Sequence, residues 1–293
     1  MISNRLKGSV FTRNSETLDP NKVIILSVEG QKTERQYFKH ISKMMANDEL
    51  PLPRCVIHLL DKHDHHSDPW SVIELLQDAH ALRSGKYVNF FSTEFLNKYS
   101  SPHIKAYFSG KLSRREEKEF ERDARTQDLH VDRLRELCYP KGDGDVFGIV
   151  IDHDARSDLK GHLTHCKELG FNVFLTTPCF ELWLLCHFAD VAEKYDVQKL
   201  FENEKVSNQH TFVSKELSKI AGINKGIGKK NKSILTNKFR IAIERMQKLE
   251  TDVYKLLHTA GSSVPLLFDI IRGQRASVWE SESDIEVAST EEE

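Results

Sequence analysis

The run Val146–Asp154, V-F-G-I-V-I-D-H-D, constrains this chain more than any other stretch. Six mostly apolar residues, β-branched at Ile149, Val150 and Ile151, suit a strand buried on both faces, as in a parallel sheet covered by helices. The strand delivers Asp152 and Asp154 at its carboxyl end, and if the backbone stays extended that far, both point to the same side. Two ionised carboxylates held together repel each other and are costly to desolvate. Such a pair keeps ordered water, shares a proton or binds a hard cation. With oxygen donors only, the cation expected is Mg²⁺ or Mn²⁺. A lone Asp-x-Asp also closes strands as a plain solvated turn, so the rest of the chain has to decide.

A second buried-strand run, Val23–Val28 (V-I-I-L-S-V), ends at Glu29-Gly30 and leads into a helix over Gln31–Met45. Thr33 is expected to cap that helix. Glu34 falls in its first turn, where the dipole favours an acid, and Tyr37, Phe38, Ile41, Met44 and Met45 make its apolar face. Glu29 thus occupies the same kind of strand-to-helix turn as Asp152. Arg54–Leu60 reads as another strand, followed by a His-rich loop (His63, His65, His66) and a helix from Trp70 to about Leu82. The loop histidines read as a solvated polar cluster in preference to a zinc site. Ser157–Leu169 fits a crossover helix stopped by Gly170, and Phe171–Thr176 a further strand. Thr177-Pro178 is expected to open the next helix, Cys179–Phe188, which is apolar nearly all round except for Glu181. An acid in such a run needs a partner: a cation, an arginine or capping N–H groups.

The α/β rhythm breaks at 83–145, read as a helical surface insertion. It holds an aromatic-rich stretch Tyr87–Phe95, a short polar link Ser100–Gly110 and a charged helix from about Ser113 to Cys138 with a thin stripe of Leu129, Leu134 and Leu137. The expected division is a loose arm over 1–20, an α/β core over 21–82 and 146–190, the insertion, a basic helical region over 191–274 and an acidic disordered tail over 275–293. Charge supports that split. The net charge is only -2, yet Lys215–Lys248 carries ten Lys/Arg against two Glu, and Glu280–Glu293 carries seven acids and no base. Within the basic region Ala221–Ser233 reads as a Gly- and Lys-rich loop in which Gly226 and Gly228 would let a phosphate approach, though its spacing is not that of a P-loop. A long amphipathic helix is expected over Lys238–His258 and a short one from Gly261 to about Ile271.

Function classes are narrowed by what is missing. The apolar runs are too short to span a membrane and the first twenty residues have no signal-like apolar core. Five cysteines (55, 138, 166, 179, 186) show no paired zinc-type spacing and read as reduced thiols of a cytoplasmic protein. In open parallel sheets, sites form outside the carboxyl ends of the strands. Glu29, Asp152 and Asp154 meeting there would hold divalent metal for phosphodiester hydrolysis, with Lys32 and the Lys225, Lys229, Lys230 and Lys232 loop available to substrate phosphates.

Five stretches carry a family resemblance: V-E-G-Q-K-T-E-R-Q-Y-F (Val28–Phe38), H-D-H-H-S-D-P-W-S-V, F-G-I-V-I-D-H-D, T-P-C-F-E-L-W-L-L-C-H-F and the closing G-S-S-V-P-L-L-F-D. They resemble the signature blocks of RloB-like proteins, a family that includes the second component of the AbiL abortive-infection system. The insertion at 83–145 is longer than the family pattern. The resemblance implies a Toprim-like fold, a small parallel sheet flanked by helices with one Glu after its first strand and an Asp-x-Asp after a later one. Glu29 would be the Toprim glutamate and Asp152 and Asp154 the pair, with Glu34 and Glu181 in blocks particular to the family. It also implies Mg²⁺ (or Mn²⁺), a DNA or RNA substrate including tRNA, an AAA/ABC-type ATPase partner, antiphage defence and a possible homo-oligomer. The expected function is a Mg²⁺-dependent nuclease. The alternative is a non-catalytic adaptor or sensor docking on the ATPase; a phosphotransferase using the same acids is weaker, because no phosphate-loop motif supports it.

Overall fold

A computed structural model of the chain describes residues 23–280 except 31, 54, 61–67, 85, 87–90, 128–130, 132–144, 154–157 and 225. The arm at 1–20, the tail beyond Glu280, the loop histidines, Cys138, Asp154, Lys225 and the leucine stripe of the charged helix lie outside the described residues.

Among the described residues, five strands form one sheet in the order β2-β1-β3-β4-β5. They are β1 (Val23–Val28), β2 (Val56–Leu59), β3 (Val146–Asp152), β4 (Asn172–Thr177) and β5 (Gly261–Ser262). The first four are mutually parallel; β5 pairs antiparallel with β4 at the edge. The runs of β-branched and apolar residues do what such runs should: Ile24, Ile25, Leu26, Ile149, Val150, Ile151, Val173, Phe174 and Leu175 are all buried. The α/β class, the mostly parallel sheet and the flanking helices therefore agree with the sequence reading.

Three crossover helices connect the parallel strands: α1 (Thr33–Ala46), α2 (Pro69–Arg83) and, after the insertion, α6 (Leu159–Glu168). Right-handed crossovers in this strand order put α1 on one face and α2 and α6 on the other. The contacts agree. Tyr37 of α1 packs on Phe180 and Trp183, whereas His80 of α2 packs on Phe147 and Phe171. The apolar face of α1 is buried as expected, but Thr33 is its first residue and Lys32 its N-cap, without a side-chain cap.

The insertion differs from its reading. Between α3 (Thr93–Lys98) and α5 (Arg114–Arg125), the stretch taken as a polar link is a helix, α4 (Ser101–Phe108), with Pro102 in its first turn and Ile104, Tyr107 and Phe108 buried. The rings of Phe91, Phe95, Tyr99, Tyr107 and Phe120 form a small aromatic core, with Phe120 in contact with each of the other four.

After β4 come α7 (Glu181–Cys186), α8 (Val191–Lys194), α9 (Val197–Glu202), α10 (Phe212–Ala221), α11 (Lys229–Asn237), α12 (Phe239–Met246) and α13 (Val264–Arg272). The last five residues of the expected Gly/Lys loop, Lys229–Ser233, thus belong to α11, and the single long helix expected over Lys238–His258 is only α12 plus a 3-10 turn at Lys255–Leu257. Glu250 breaks it: its carboxylate accepts from the N–H groups of Thr251 and Asp252 and competes with helical pairing. The start of the expected disordered tail is packed. Val278 N–H donates to Asn172 Oδ1 (2.9 Å) and the Trp279 indole N–H to Phe171 O (2.9 Å). No helix among the described residues is long and apolar enough to cross a membrane.

Candidate functional site

The strand order reverses direction between β1 and β3: the chain leaves β1 toward β2 and later returns to the other side. Open α/β sheets place ligands at such a switch point, outside the carboxyl ends of the strands. Glu29 and Asp152 stand there. The register pairs Val28 with Val150. Glu29 prolongs the ladder by donating its N–H to Val150 O (2.9 Å), and Asp152 N–H lies 3.3 Å from Glu29 Oε2. Two acids 123 residues apart in sequence are thereby brought side by side.

Glu34 joins them from the first turn of α1. Its carboxylate folds back over Gly30, where a Cβ would overlap both carboxylate oxygens, so only glycine at this position admits it. Glu29 and Glu34 are both buried, 8% and 9% exposed. Glu181 approaches from the other side, at the first position of α7. The route differs from the one read in the sequence. Thr177 is the last residue of β4 and donates its hydroxyl to Leu256 O, the Thr177–Pro178 peptide is cis, and the helix begins at Glu181, not at Pro178. The rest of α7 is buried on all sides, as expected.

Asp152 reports the electrostatics of this rim. Enclosure of its carboxyl, then the charges of Glu34, Glu181 and Glu29, push it well above the usual aspartate range, while the N–H of Phe180 works in the opposite direction. The cluster thus favours a proton, or a cation in its place. Cys179 is a member that the sequence reading took only for a buried thiol. Burial, then the charges of Glu181 and Asp152, hold it well above the usual thiol range, and it donates to Glu181. Asn203 Nδ2 lies 3.8 Å from its sulfur. The one signal for it in the sequence is its position two residues before the acid of an otherwise apolar run.

The cationic residues lie on α1 and on α11, which docks on α1. Lys32, exposed, lies between Glu29 and Glu34 in sequence. Gly226 has φ +114, and a Cβ there would crowd Gln36 and the Lys32 side chain. Ile227 N–H donates to Gln36 Oε1 (2.6 Å), and His40 Nε2 lies 2.9 Å from Lys232 O. These contacts dock the Gly/Lys segment on the helix that carries Glu34. Lys229, Lys230 and Lys232 occupy the first turn of α11 behind Gly228 as N-cap, so their charge adds to the positive end of the helix dipole.

The donors that would hold Mg²⁺ or Mn²⁺ are carboxylate oxygens, the chemistry a hard cation takes. The raised Asp152 is the observation in favour of a fit: its neighbours are close enough to oppose its ionisation. Among the described residues no three His, Cys, Asp or Glu side chains form a ready-made metal cage, and Asp154 lies outside them.

A family model described as RloB-like protein matches residues 24–269. No curated protein and no solved structure matches the chain.

Proposed function

The chain belongs to the RloB-like family, and from that premise we propose that it is a Mg²⁺-dependent, Toprim-type nuclease. It would hydrolyse phosphodiester bonds of DNA or RNA in the cytoplasm, as the effector of an ATPase-linked abortive-infection system. The observation that carries this reading is the gathering of Glu29, Glu34, Asp152 and Glu181 at the β1/β3 switch point, with Asp152 held above the usual aspartate range by its enclosure and then by the charges of the other three.

Glu29 and Asp152 would hold the cation, with Asp154 as the second member of the pair and Glu34 and Glu181 closing the set. A divalent ion bound there supplies an activated water and neutralises charge on a phosphodiester. Glu29 accepts from the Asp152 N–H, which fixes its carboxylate against the strand end. Glu34 folds back over Gly30, and Cys179 stands beside Glu181. These fixed positions serve catalysis because pre-organised charge needs little rearrangement during reaction. Lys32 and Lys229, Lys230 and Lys232 approach from the α1/α11 side as the groups that would take substrate phosphates.

The test is cleavage of DNA, RNA and tRNA by the purified protein with its AAA/ABC-type ATPase partner and Mg²⁺. Cleavage that disappears in Asp152→Asn and Glu29→Gln, while both variants keep the wild-type circular dichroism spectrum, is the expected result. Intact substrates under all these conditions contradict it. The second reading, a non-catalytic adaptor, is favoured by the insertion's own aromatic core. It requires that loss of part of 83–145 abolish ATPase pull-down while Asp152→Asn leaves defence untouched.

A further inference from the structure

Helix-borne cations elsewhere in the described residues find acids: Lys98 pairs with Asp123, Lys248 with Asp190 and Glu193, and Arg272 with Asp269. On α1 and α11 they do not. From Arg35 to Asn47 and from Leu217 to Ile243 the sequence holds no acid, against Arg35, Lys39 and Lys43 in the first stretch and seven Lys/Arg in the second. Among the described residues, Lys32, Lys39, Lys43, Lys229, Lys230 and Lys232 make no ion pair. All but the half-buried Lys232 are exposed.

Their positions are poor ones for the fold itself. Lys39 and Lys43 stand one turn apart on α1, a spacing at which like charges destabilise a helix. Lys229 and Lys230 open α11, where the dipole disfavours a cation. An external anion would offset both costs.

The six also share one surface. At about 3.6 residues per turn, Lys39 and Lys43 follow the N-cap Lys32 by two and three turns, on the side of α1 away from the buried Phe38, Ile41 and Met45. The docking of α11 advances in step. Ile227 N–H donates to Gln36, and one turn further along α1, His40 reaches Lys232 O and Thr236 Oγ1. Burial holds the His40 imidazole below its ordinary value against its bond to Lys232 O, and the charges of Lys232 and Lys43 act in the same direction, opposed by Glu49. Lysines of both helices thus flank this one ring. Glu34, in the first turn of α1, belongs to the acid rim, so the stripe starts beside the rim and leads away from it over about 16 Å of helix.

We propose that the outward side of α1 and the start of α11 form one track for a nucleic-acid backbone, with Lys39 and Lys43 taking phosphates beyond those met by Lys32 and the first turn of α11. Ammonium groups are point charges that hold phosphates and read no base, so the track selects a polymer and not a sequence. That the bound strand continues to the acid rim rests on the function proposed above.

Fluorescence anisotropy of a labelled oligothymidylate, titrated with the full chain in EDTA over a range of salt concentrations, tests the track without metal or cleavage. Lys39→Gln/Lys43→Gln is expected to bind at least tenfold more weakly at low salt, with the slope of log K against log salt shallower by about 1.4, two phosphate contacts to a single strand. Lys105→Gln/Lys118→Gln, which removes the same charge from the insertion, is expected to keep the wild-type slope. Equal losses in the two variants, wild-type binding by Lys39→Gln/Lys43→Gln, or no binding by the wild type overturn the track. Polyglutamate that displaces the oligonucleotide as well as unlabelled oligothymidylate does assigns the surface to an acidic protein and overturns it too. Cleavage with Mg²⁺ is scored separately: substrates left intact by a wild type that binds with the expected slope count against the nuclease reading and leave the track standing.

Discussion

Asp152 and His187 pull the pH dependence of this protein in opposite directions. Asp152 has a raised folded-state value, so above the ordinary range of an aspartate, about 3.8, the folded protein keeps a proton that the unfolded chain has released. Its effect on stability is therefore favourable at low pH and is lost as pH rises through the raised value. His187 is lowered from 6.5 to about 3, so between these values the unfolded chain takes a proton that the folded protein refuses; stability is lost as pH falls below about 6.5. A cation that replaces the Asp152 proton offsets the high-pH loss. Thermal melts from pH 5 to pH 8 should therefore show a Mg²⁺-induced rise in Tm that grows with pH. A rise independent of pH would contradict cation binding at Asp152. Gly30 gives a second prediction at this scale. Gly30→Ala should displace the Glu34 carboxylate and weaken Mg²⁺ binding tenfold or more with the α/β spectrum retained, because the new Cβ occupies the space the carboxylate now fills. Glu29 and Asp152 were legible as candidate residues at one sheet edge because each ends an apolar strand. Cys179 was not, since a thiol in an apolar run reads as core until the acids around it are known.

Elements were read best where one pattern ran without interruption. The β-branched runs of β1 and β3 and the apolar stripe of α1 fell where expected. The failures have local causes. Ser100-Ser101-Pro102 is a helix-start signal that the polar character of Ser100–Gly110 obscured, although Ile104, Tyr107 and Phe108 already share one helical face. Gly261-Ser262 became an edge strand because Ser262 and Ser263 bind β4: their hydroxyls reach Thr176 Oγ1 (2.7 Å) and Val173 O (3.1 Å). Such long-range pairing has no local signature. In the insertion, Ser113 and Glu116 form a capping box at the start of α5. Ser113→Ala should cost about 1 kcal/mol, and Phe120→Ala, which empties the centre of the aromatic core, about 3–5 kcal/mol. Urea unfolding checks both, and equal losses for the two would contradict the packing described.

On the scale of the whole molecule, one topological fact does most for the function. The order β2-β1-β3-β4 reverses between β1 and β3, and that gap receives a helix-borne acid from each side of the chain, Glu34 before the insertion and Glu181 after β4. The basic segment at 226–232 docks on the same helix as Glu34, so a near-neutral sequence folds with its positive charge beside its acidic rim. The sequence could indicate the two charge classes but not their adjacency, which depends on Gln36 accepting from, and His40 donating to, a segment about 190 residues away. The account stands on the carboxylates at this gap binding a hard divalent ion. Calorimetric titration of Mg²⁺ into the wild type and into Asp152→Asn at pH 7.5 measures that directly. The account predicts saturable binding by the wild type that weakens at least tenfold in the folded variant; equal binding by both, or none by the wild type, would contradict it.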